Sequence, residues 1–426
     1  MVVKRVLFGY GRGKIAGNFE ESELLGVLTS NIENYKPELE GRELVRNALE
    51  NPIGSEKLSE LSKGKNKVVI IASDHTRPVP SKVIMPEMLG EIRKGNPDAD
   101  VTILIATGCH RGTTKDELIE KFGEEIVKNE KIYIHDCDER DMMVNIGKLP
   151  SGADCEINKI AIEADLLVAE GFIEPHLFAG FSGGRKSVLP GIASRETVMG
   201  NHCSEFIADK NARTGILDGN PIHEDMLWAA ENAKLKFIVN VVLNGEKKPI
   251  FAVAGDLKQA HKKGTDFISS LCAVDALPAD IAITTNGGYP LDQNTYQAAK
   301  GMTAGEATVK EGGVIIMLSE SADGTGGEHF YKQLADGTVD ELMDKILSRD
   351  RRHTEPDQWQ AQIILRAQQK VTVIYVSMLD DKVVEGMHMI PAHSVDEAVL
   401  KAKEILKKDK VTITAIPDGI AVVVKQ

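Results

Sequence analysis

Residues 164–202 read ADLLVAEGFIEPHLFAGFSGGRKSVLPGIASRETVMGNH, and the other segments of the chain take their meaning from them. Leu166, Leu167 and Val168 form a short apolar run ahead of Gly171, the pattern of a buried strand that ends at a loop. The loop carries His176, the Gly180/Gly183/Gly184 cluster, the Arg185 and Lys186 pair and His202, with too much glycine and too little periodicity for a simple helix. Glycine in such a loop serves either positive backbone angles or the close approach of backbone amides to a ligand. A lysine directly after the turn serves either as a point charge against phosphate or as an amine nucleophile. Both possibilities put a ligand at this loop.

Upstream, the same grammar recurs: an apolar strand, a small polar or glycine-rich loop, then a helix. Strands are expected at 68–72 (before SDHTRPVP), 101–106 (before TGCHRGTT) and 132–135, with helices at 83–94 and 115–122. Strands alternating with helices argue for a mostly parallel sheet, whose ligands collect beyond the carboxyl ends of the strands. Asp74, Arg77, His110 and His176 all fall at such ends, which points to one site. At the amino terminus, 2–9 reads as a strand and 10–14 as a turn. GYGRG has the wrong spacing for a dinucleotide fingerprint. The charged segment 21–50 is helical in pattern, with Leu25, Leu28, Leu44 and Leu49 as buried positions.

Downstream, 223–233 is a helix whose Met226, Leu227 and Ala230 have core spacing, with strands after it at 236–243 and 250–254. A boundary falls near 270–278, where ADIAITTNGGYPLDQNTYQAAKGM opens a second strand-loop-helix series. Further strands are expected at 314–318 and 371–376, with a helix from Phe330 between them. The late apolar runs 411–414 and 421–424 either close the second sheet or return to the first domain. The expectation is an α/β chain of two αβ domains with mostly parallel sheets: 1–272 as a first domain that carries the glycine-rich loop, 273–400 as a second αβ domain, and 401–426 as a terminal segment able to return to the first.

Composition sets limits. A net charge of -13 argues against bulk attraction to nucleic acid or anionic lipid, while leaving room for a local basic pocket. The five cysteines are scattered and form no CxxC pair, so neither a disulfide framework nor a thiolate zinc site is indicated. No apolar run is long enough to span a membrane and no secretory pattern opens the chain, so a cytoplasmic protein is expected.

Among eleven histidines, His110, His176 and His202 stand in loops of small residues where an imidazole is poorly explained as packing. Two histidines from different strand ends can face opposite sides of a substrate, the arrangement suited to interconverting enantiomers. Asp74, Thr76 and Arg77 form a second cluster. Arg77 before Pro78 presents a planar cation suited to a carboxylate, and Asp74 can orient it or a cofactor hydroxyl; the alternative is an Asx-turn with a surface arginine. Gln297 and Lys300 share one face of an expected helix, a face equally suited to solvent. Spacing reveals no multi-histidine metal site.

SDHTRPVPS, ATGCHR, GFIEPHLFAGFSGGRKSVLPGIAS, NGGYPLDQNTYQAAKGMTA and PDQWQAQI occur in this order. From about residue 51 to the carboxyl terminus they resemble the lactate racemase family of nickel-pincer-nucleotide 2-hydroxyacid racemases and epimerases. Residues 1–50 match less sharply. The resemblance implies an active site in the cleft between the two domains. It also implies a cofactor, the nickel(II) complex of pyridinium-3-thioamide-5-thiocarboxylic acid mononucleotide. This would be joined covalently to Lys186, with His202 as the protein ligand to nickel. Square-planar coordination with sulfur donors suits nickel(II), which would account for the missing multi-histidine site. His110 and His176 would be the acid-base pair on opposite faces of the substrate. Arg77, Gln297, Lys300 and Trp359 would orient its carboxylate and close the pocket. Asp74 would support a catalytic histidine or, with Thr76 and Arg77, the cofactor, and Tyr296 would line the site.

The implied reaction is proton-coupled hydride transfer at C2 through a bound 2-keto acid. Phe178 and Phe181 beside the loop favour the methyl of lactate. Malate, which would need a further cation such as Arg185 or Lys300, and 2-hydroxybutyrate are the alternatives within the class. Outside it stand an NAD-dependent dehydrogenase and a non-catalytic binder of small ligands. Cofactor-assembly enzymes are implied partners, and the chain is expected as a monomer or homodimer.

Overall fold

A computed structural model describes residues 2–425. The chain divides into two compact units. One comprises Ile32–His202 and Asp209–Ser270, and the other Met1–Asn31, Cys203–Ala208 and Leu271–Gln426.

The first unit is organised on a six-stranded sheet in the order Pro249–Gly255, Leu235–Leu243, Leu166–Phe172, Lys67–Ser73, Asp100–Ala106, Lys131–Ile134. All neighbours are parallel except the outermost pair, Leu235–Leu243 with Pro249–Gly255. The central strands are nearly continuous Val, Ile, Leu and Ala, and every residue of Leu166–Phe172 is buried, as expected of a parallel sheet covered on both faces. Helix Ser81–Gly95 buries Ile84, Met85, Met88, Leu89 and Ile92 into the core, each worth roughly 1.5–3 kcal/mol of apolar burial. Helix Lys115–Phe122 starts where the sequence places it because Thr114 and Glu117 form a capping box.

The chain order fixes the site. After Lys67–Ser73 the chain steps to Asp100–Ala106 on one side, and it later returns to the other side as Leu166–Phe172. The order therefore reverses between the carboxyl ends of Lys67–Ser73 and Leu166–Phe172, the crevice where open parallel sheets hold ligands.

The second unit has a six-stranded, wholly parallel sheet in the order Ile390–Ala392, Thr372–Val376, Val309–Leu318, Ala279–Thr285, Ile413–Ile416, Leu24–Val27. Several expectations differ from this arrangement. Segment 21–40 forms no α-helix, only a single 3-10 turn at Ile32–Asn34: Leu24–Val27 is an edge strand paired with Ile413–Ile416, and Leu25 faces solvent, 48% exposed. Only from Gly41–Glu50 does an α-helix form, burying Leu44 and Leu49. Residues before Ile32 group with the second unit rather than opening the first, and the late runs join the second unit too. Ile413–Ile416 lies inside its sheet, and Val423–Lys425 pairs with Ala273–Asp275. Val3–Tyr10 and Gly13–Glu20 form an antiparallel hairpin, so GYGRG is its turn. Among the described residues no helix is long and apolar enough to cross a membrane.

Candidate active site

The first unit gathers its candidate residues on three loops that leave adjacent strand ends. Asp74 follows Lys67–Ser73, His110 follows Asp100–Ala106, and the glycine-rich segment follows Leu166–Phe172. Gly108 N donates to Gly191 O at 2.9 Å, lacing the TGCH loop to the segment that carries Lys186.

On the first two loops Asp74, Thr76, Arg77 and His110 form one hydrogen-bonded chain. Asp74 is 1% exposed; its Oδ2 lies 2.7 Å from His110 Nδ1, while its Oδ1 accepts from Thr76 Oγ1 at 2.7 Å and Thr76 N at 3.1 Å. Burial pushes the Asp74 carboxyl up. The hydrogen bonds from His110 and Thr76 and the charge of Arg77 outweigh it, and the net position is below the usual carboxylate range. An ionised Asp74 holds the proton on His110 Nδ1 and leaves Nε2 as the accepting nitrogen. Arg77 is exposed, and its NH1 donates to Thr76 Oγ1 at 3.1 Å.

His176, Phe178, Lys186 and His202 form the second cluster. The Phe178 ring stands edge-on to both His176 (centroids 4.6 Å apart) and His202 (5.1 Å), with Lys186 Nζ 5.9 Å from its centroid. Lys186 Nζ lies 3.4 Å from His176 Nε2. Ala179 N donates to His176 Nδ1 at 3.3 Å, and the Lys186 ammonium, a donor only, faces Nε2, so both ring nitrogens meet donors. His202 is buried, and burial, with the charge of Lys186 adding, pushes its pKa down to about 3. The ring is therefore neutral, and Nδ1, 3.1 Å from Val198 O, donates there and places the lone pair on Nε2. That is the tautomer of a metal-binding imidazole.

The glycine turn has a packing cause. Gly183 and Gly184 have φ of 76° and 52°. A Cβ on Gly183 would lie 2.8 Å from Asn240 Oδ1, and one on Gly184 2.8 Å from His261 Cδ2. Arg185 is 1% exposed and donates to Ala179 O at 2.6 Å and to Ser182 O and Gly183 O at 3.4 Å each; burial lowers its pKa to about 9. It is a clamp for the loop. Lys186 remains only half-buried at the turn.

In the second unit, helix Thr295–Thr308 carries Tyr296, Gln297 and Lys300, and Asn294 caps it by accepting from Gln297 N at 3.1 Å. Trp359 sits in the first turn of Gln358–Lys370, and Gln360 Nε2 donates to Tyr296 O at 2.9 Å, joining the two helix starts. Gln297 Oε1 is buried without a hydrogen-bond partner among the described residues.

This arrangement is accompanied by a clear relationship. Residues 10–215 match the lactate racemase N-terminal domain and residues 274–424 the lactate racemase C-terminal domain. The chain belongs to the lactate racemase family. Curated lactate racemases from Thermoanaerobacterium thermosaccharolyticum and Lactiplantibacillus plantarum are each 53% identical to it, over 98% of this chain and 98% of theirs. The structure of the lactate racemase apoprotein from T. thermosaccharolyticum superposes with a TM-score of 0.95 at 51% identity, covering 99% of this chain and all of that one. A Thermotoga maritima protein, at TM-score 0.63, 20% identity and 91% coverage, shares the fold alone. Membership in the lactate racemase family makes the chain an enzyme of the racemase type.

Sequence reasoning missed the residues that support these loops. Asn240 accepts from Gly184 N at 2.8 Å, and His261 Nε2 lies 2.8 Å from Ser182 O. Lys121 donates to Arg77 O at 3.2 Å, and Glu170, wholly buried and with its carboxyl pushed up by burial, accepts from Ser81 Oγ at 2.6 Å. The available signal was a polar residue inside an apolar strand: Asn240 in KFIVNVVL and Glu170 in LLVAEGF.

Proposed function

We propose that this chain interconverts D- and L-lactate, using His110 and His176 as its two proton-transferring groups and a nickel-pincer nucleotide held by Lys186 and His202. The observation that carries the reading is the complementary state of the two imidazoles. His110, fixed by Asp74, offers Nε2 as an acceptor, whereas His176, occupied at Nδ1 by Ala179 N, offers Nε2 as a donor once Lys186 is joined to the cofactor and its ammonium no longer faces that nitrogen. A racemase needs that asymmetry, because one side of the substrate must lose a proton while the other regains one.

The residues fit the cofactor. His202 is neutral with its lone pair on Nε2, and the Lys186 amine projects from a glycine turn. The solved relative is an apoprotein, which supports a cofactor for enzymes of this kind. When bound, the nickel-pincer nucleotide would supply the acceptor and donor for hydride at C2. Hydride chemistry suits the substrate, since the C2 proton of a 2-hydroxy acid is not acidic beside its own carboxylate. His110 Nε2 takes the hydroxyl proton as C2 becomes planar. The 2-keto acid turns, and His176 returns a proton to oxygen as the opposite face is reduced. For the reverse enantiomer the roles exchange. Arg77, Gln297, Lys300 and Trp359 orient the carboxylate, and Asp74 and Thr76 hold His110 in register.

Lactate ranks above malate because Arg185 is committed to loop carbonyls and is no counter-ion for a second carboxylate, while the buried Phe178 ring suits a methyl group. All five cysteines are free, which favours a reducing cytoplasm where cofactor-assembly enzymes can load Lys186. The test is steady-state turnover of D- and L-lactate, malate and 2-hydroxybutyrate by protein loaded with its assembly partners, together with intact mass. A nickel-bearing adduct and lactate turnover are expected. A malate preference above about tenfold, or 1.4 kcal/mol, rejects the ranking, and turnover without an adduct rejects the mechanism.

A further inference from the structure

Cys109 directly precedes His110, and lactate racemisation gives it no role. It leaves the carboxyl end of Asp100–Ala106, while Cys137 leaves the carboxyl end of the neighbouring parallel strand Lys131–Ile134. Ile105 pairs with Ile134 in the ladder. Beyond it the two chains stay laced by His135 N to Ile105 O at 3.1 Å and Thr107 Oγ1 to His135 O at 2.6 Å. Cys109 stands four residues beyond Ile105 and Cys137 three beyond Ile134, so the two thiols leave the same end of the sheet on adjacent chains. The two thiols lie close enough to influence each other's ionisation. Cys109 is half-buried, whereas Cys137 is buried, 3% exposed. Arg195 is fixed here by Asp138 at 2.7 and 2.6 Å and donates through its backbone N to Cys137 O at 3.1 Å.

We propose that Cys109 and Cys137 are an attacking and a resolving thiol that peroxide converts to a reversible disulfide, displacing His110. The Cys109 thiol is suited to attack. The neighbouring Cys137 thiol lowers its pKa, burial opposes this, and the charge of Arg195 adds to the lowering. The Cys109 thiolate attacks one peroxide oxygen, breaking the O–O bond and leaving a sulfenic acid and hydroxide. The Cys137 sulfur then attacks the sulfenic sulfur, the S–S bond forms and hydroxide leaves; the Cys137 thiol proton turns this hydroxide into water, and the proton that Cys109 gave up on ionising does the same for the first. Two thiols lose two electrons and one peroxide gains them.

The strand order sets the consequence. Lys67–Ser73, which delivers Asp74, and Lys131–Ile134, which delivers Cys137, flank Asp100–Ala106 on opposite sides. Closing the sulfurs to about 2.05 Å draws the TGCH loop toward Cys137 and away from Asp74. The 2.7 Å bond from Asp74 to His110 is the contact that lengthens. A displacement of about 1 Å at a catalytic group costs on the order of 10²-fold in rate. This effect on rate rests on the role proposed for His110; the cross-link does not.

Non-reducing peptide mapping of the full chain after brief hydrogen peroxide treatment tests the pair. The expected product is a Cys109–Cys137 peptide, lighter by two hydrogens than its parts and separated again by dithiothreitol. In Cys137→Ser, with the thermal midpoint checked and Cys137→Ala as a second variant, the expected product is a dimedone-trapped sulfenic acid on Cys109. Cross-linking elsewhere, or an unmodified Cys109 while other thiols oxidise, overturns the proposal. In loaded enzyme the cross-link should lower turnover at least tenfold until reduction, and a quantitative cross-link with unchanged turnover overturns the displacement of His110. Failure of the functional reading is separate, because fully reduced, loaded protein would then not racemise lactate.

Discussion

Asp74→Asn isolates the contact on which the acid-base assignment depends. The substitution preserves shape, and the Asn Oδ1 can keep the two hydrogen bonds that Asp74 Oδ1 accepts from Thr76, so the loop should hold its course. What changes is the 2.7 Å contact with His110 Nδ1. An amide there donates, so the His110 proton moves to Nε2 and the acceptor for the substrate hydroxyl is lost. General-base assistance is worth about 10²–10⁴-fold, roughly 3–5 kcal/mol of barrier, and kcat should fall within that range. Enantiomers are equal in free energy in water, so kcat/KM must fall by the same factor for D- and L-lactate. The assay is polarimetric or coupled-enzyme turnover in both directions, with intact mass confirming an unchanged adduct on Lys186. A loaded Asp74→Asn enzyme within about threefold of the parent would remove Asp74 as the group that sets the His110 tautomer.

The same geometry gives further outcomes. His110→Ala and His176→Ala should each lower turnover by at least about 10²-fold in both directions, and near-normal turnover in either contradicts the paired assignment. Lys186→Ala should carry no covalent adduct by intact mass. His202→Ala should keep the organic adduct but lose nickel by elemental analysis, and retention of stoichiometric nickel would remove His202 as ligand. Stability of the unloaded chain should fall in acid, because burial, helped by the charge of Arg185, pushes His223 and His261 down to about 3. Between the ordinary value of about 6.5 and about 3, each of these two histidines binds a proton in the unfolded chain that it refuses in the folded one. Their contribution is complete above about pH 6.5 and declines by about 3 kcal/mol per pH unit below it. Equal urea midpoints at pH 7 and pH 5 would contradict this.

The central strands of the first unit were legible because parallel strands covered on both faces are written as local apolar runs, as in VVIIA and LLVAEGF. The same rule put Asp74, His110 and His176 at carboxyl ends. Leu24–Val27 was not legible. It has four residues, lies at a sheet edge with polar surroundings, and finds its partner in Ile413–Ile416, a pairing that no local window contains. The helix Gln259–Cys272 escaped for a related reason: QAHKKGTDFISSLC spreads its apolar positions among charges and a glycine. At the site, residue types and loops could be read, but proton placement could not. The state of His110 depends on Asp74 Oδ2 and that of His176 on a backbone N–H, contacts that only folding creates.

The proposed mechanism requires that the histidines move the hydroxyl proton while hydrogen at C2 never meets solvent. Racemisation of L-lactate by loaded enzyme in D2O, monitored by proton NMR and mass spectrometry of the D-lactate formed, measures this directly. Product that retains protium at C2 through many turnovers is expected. Deuterium accumulating at C2 in step with racemisation would mean that a histidine removes the C2 proton, and hydride transfer would be excluded.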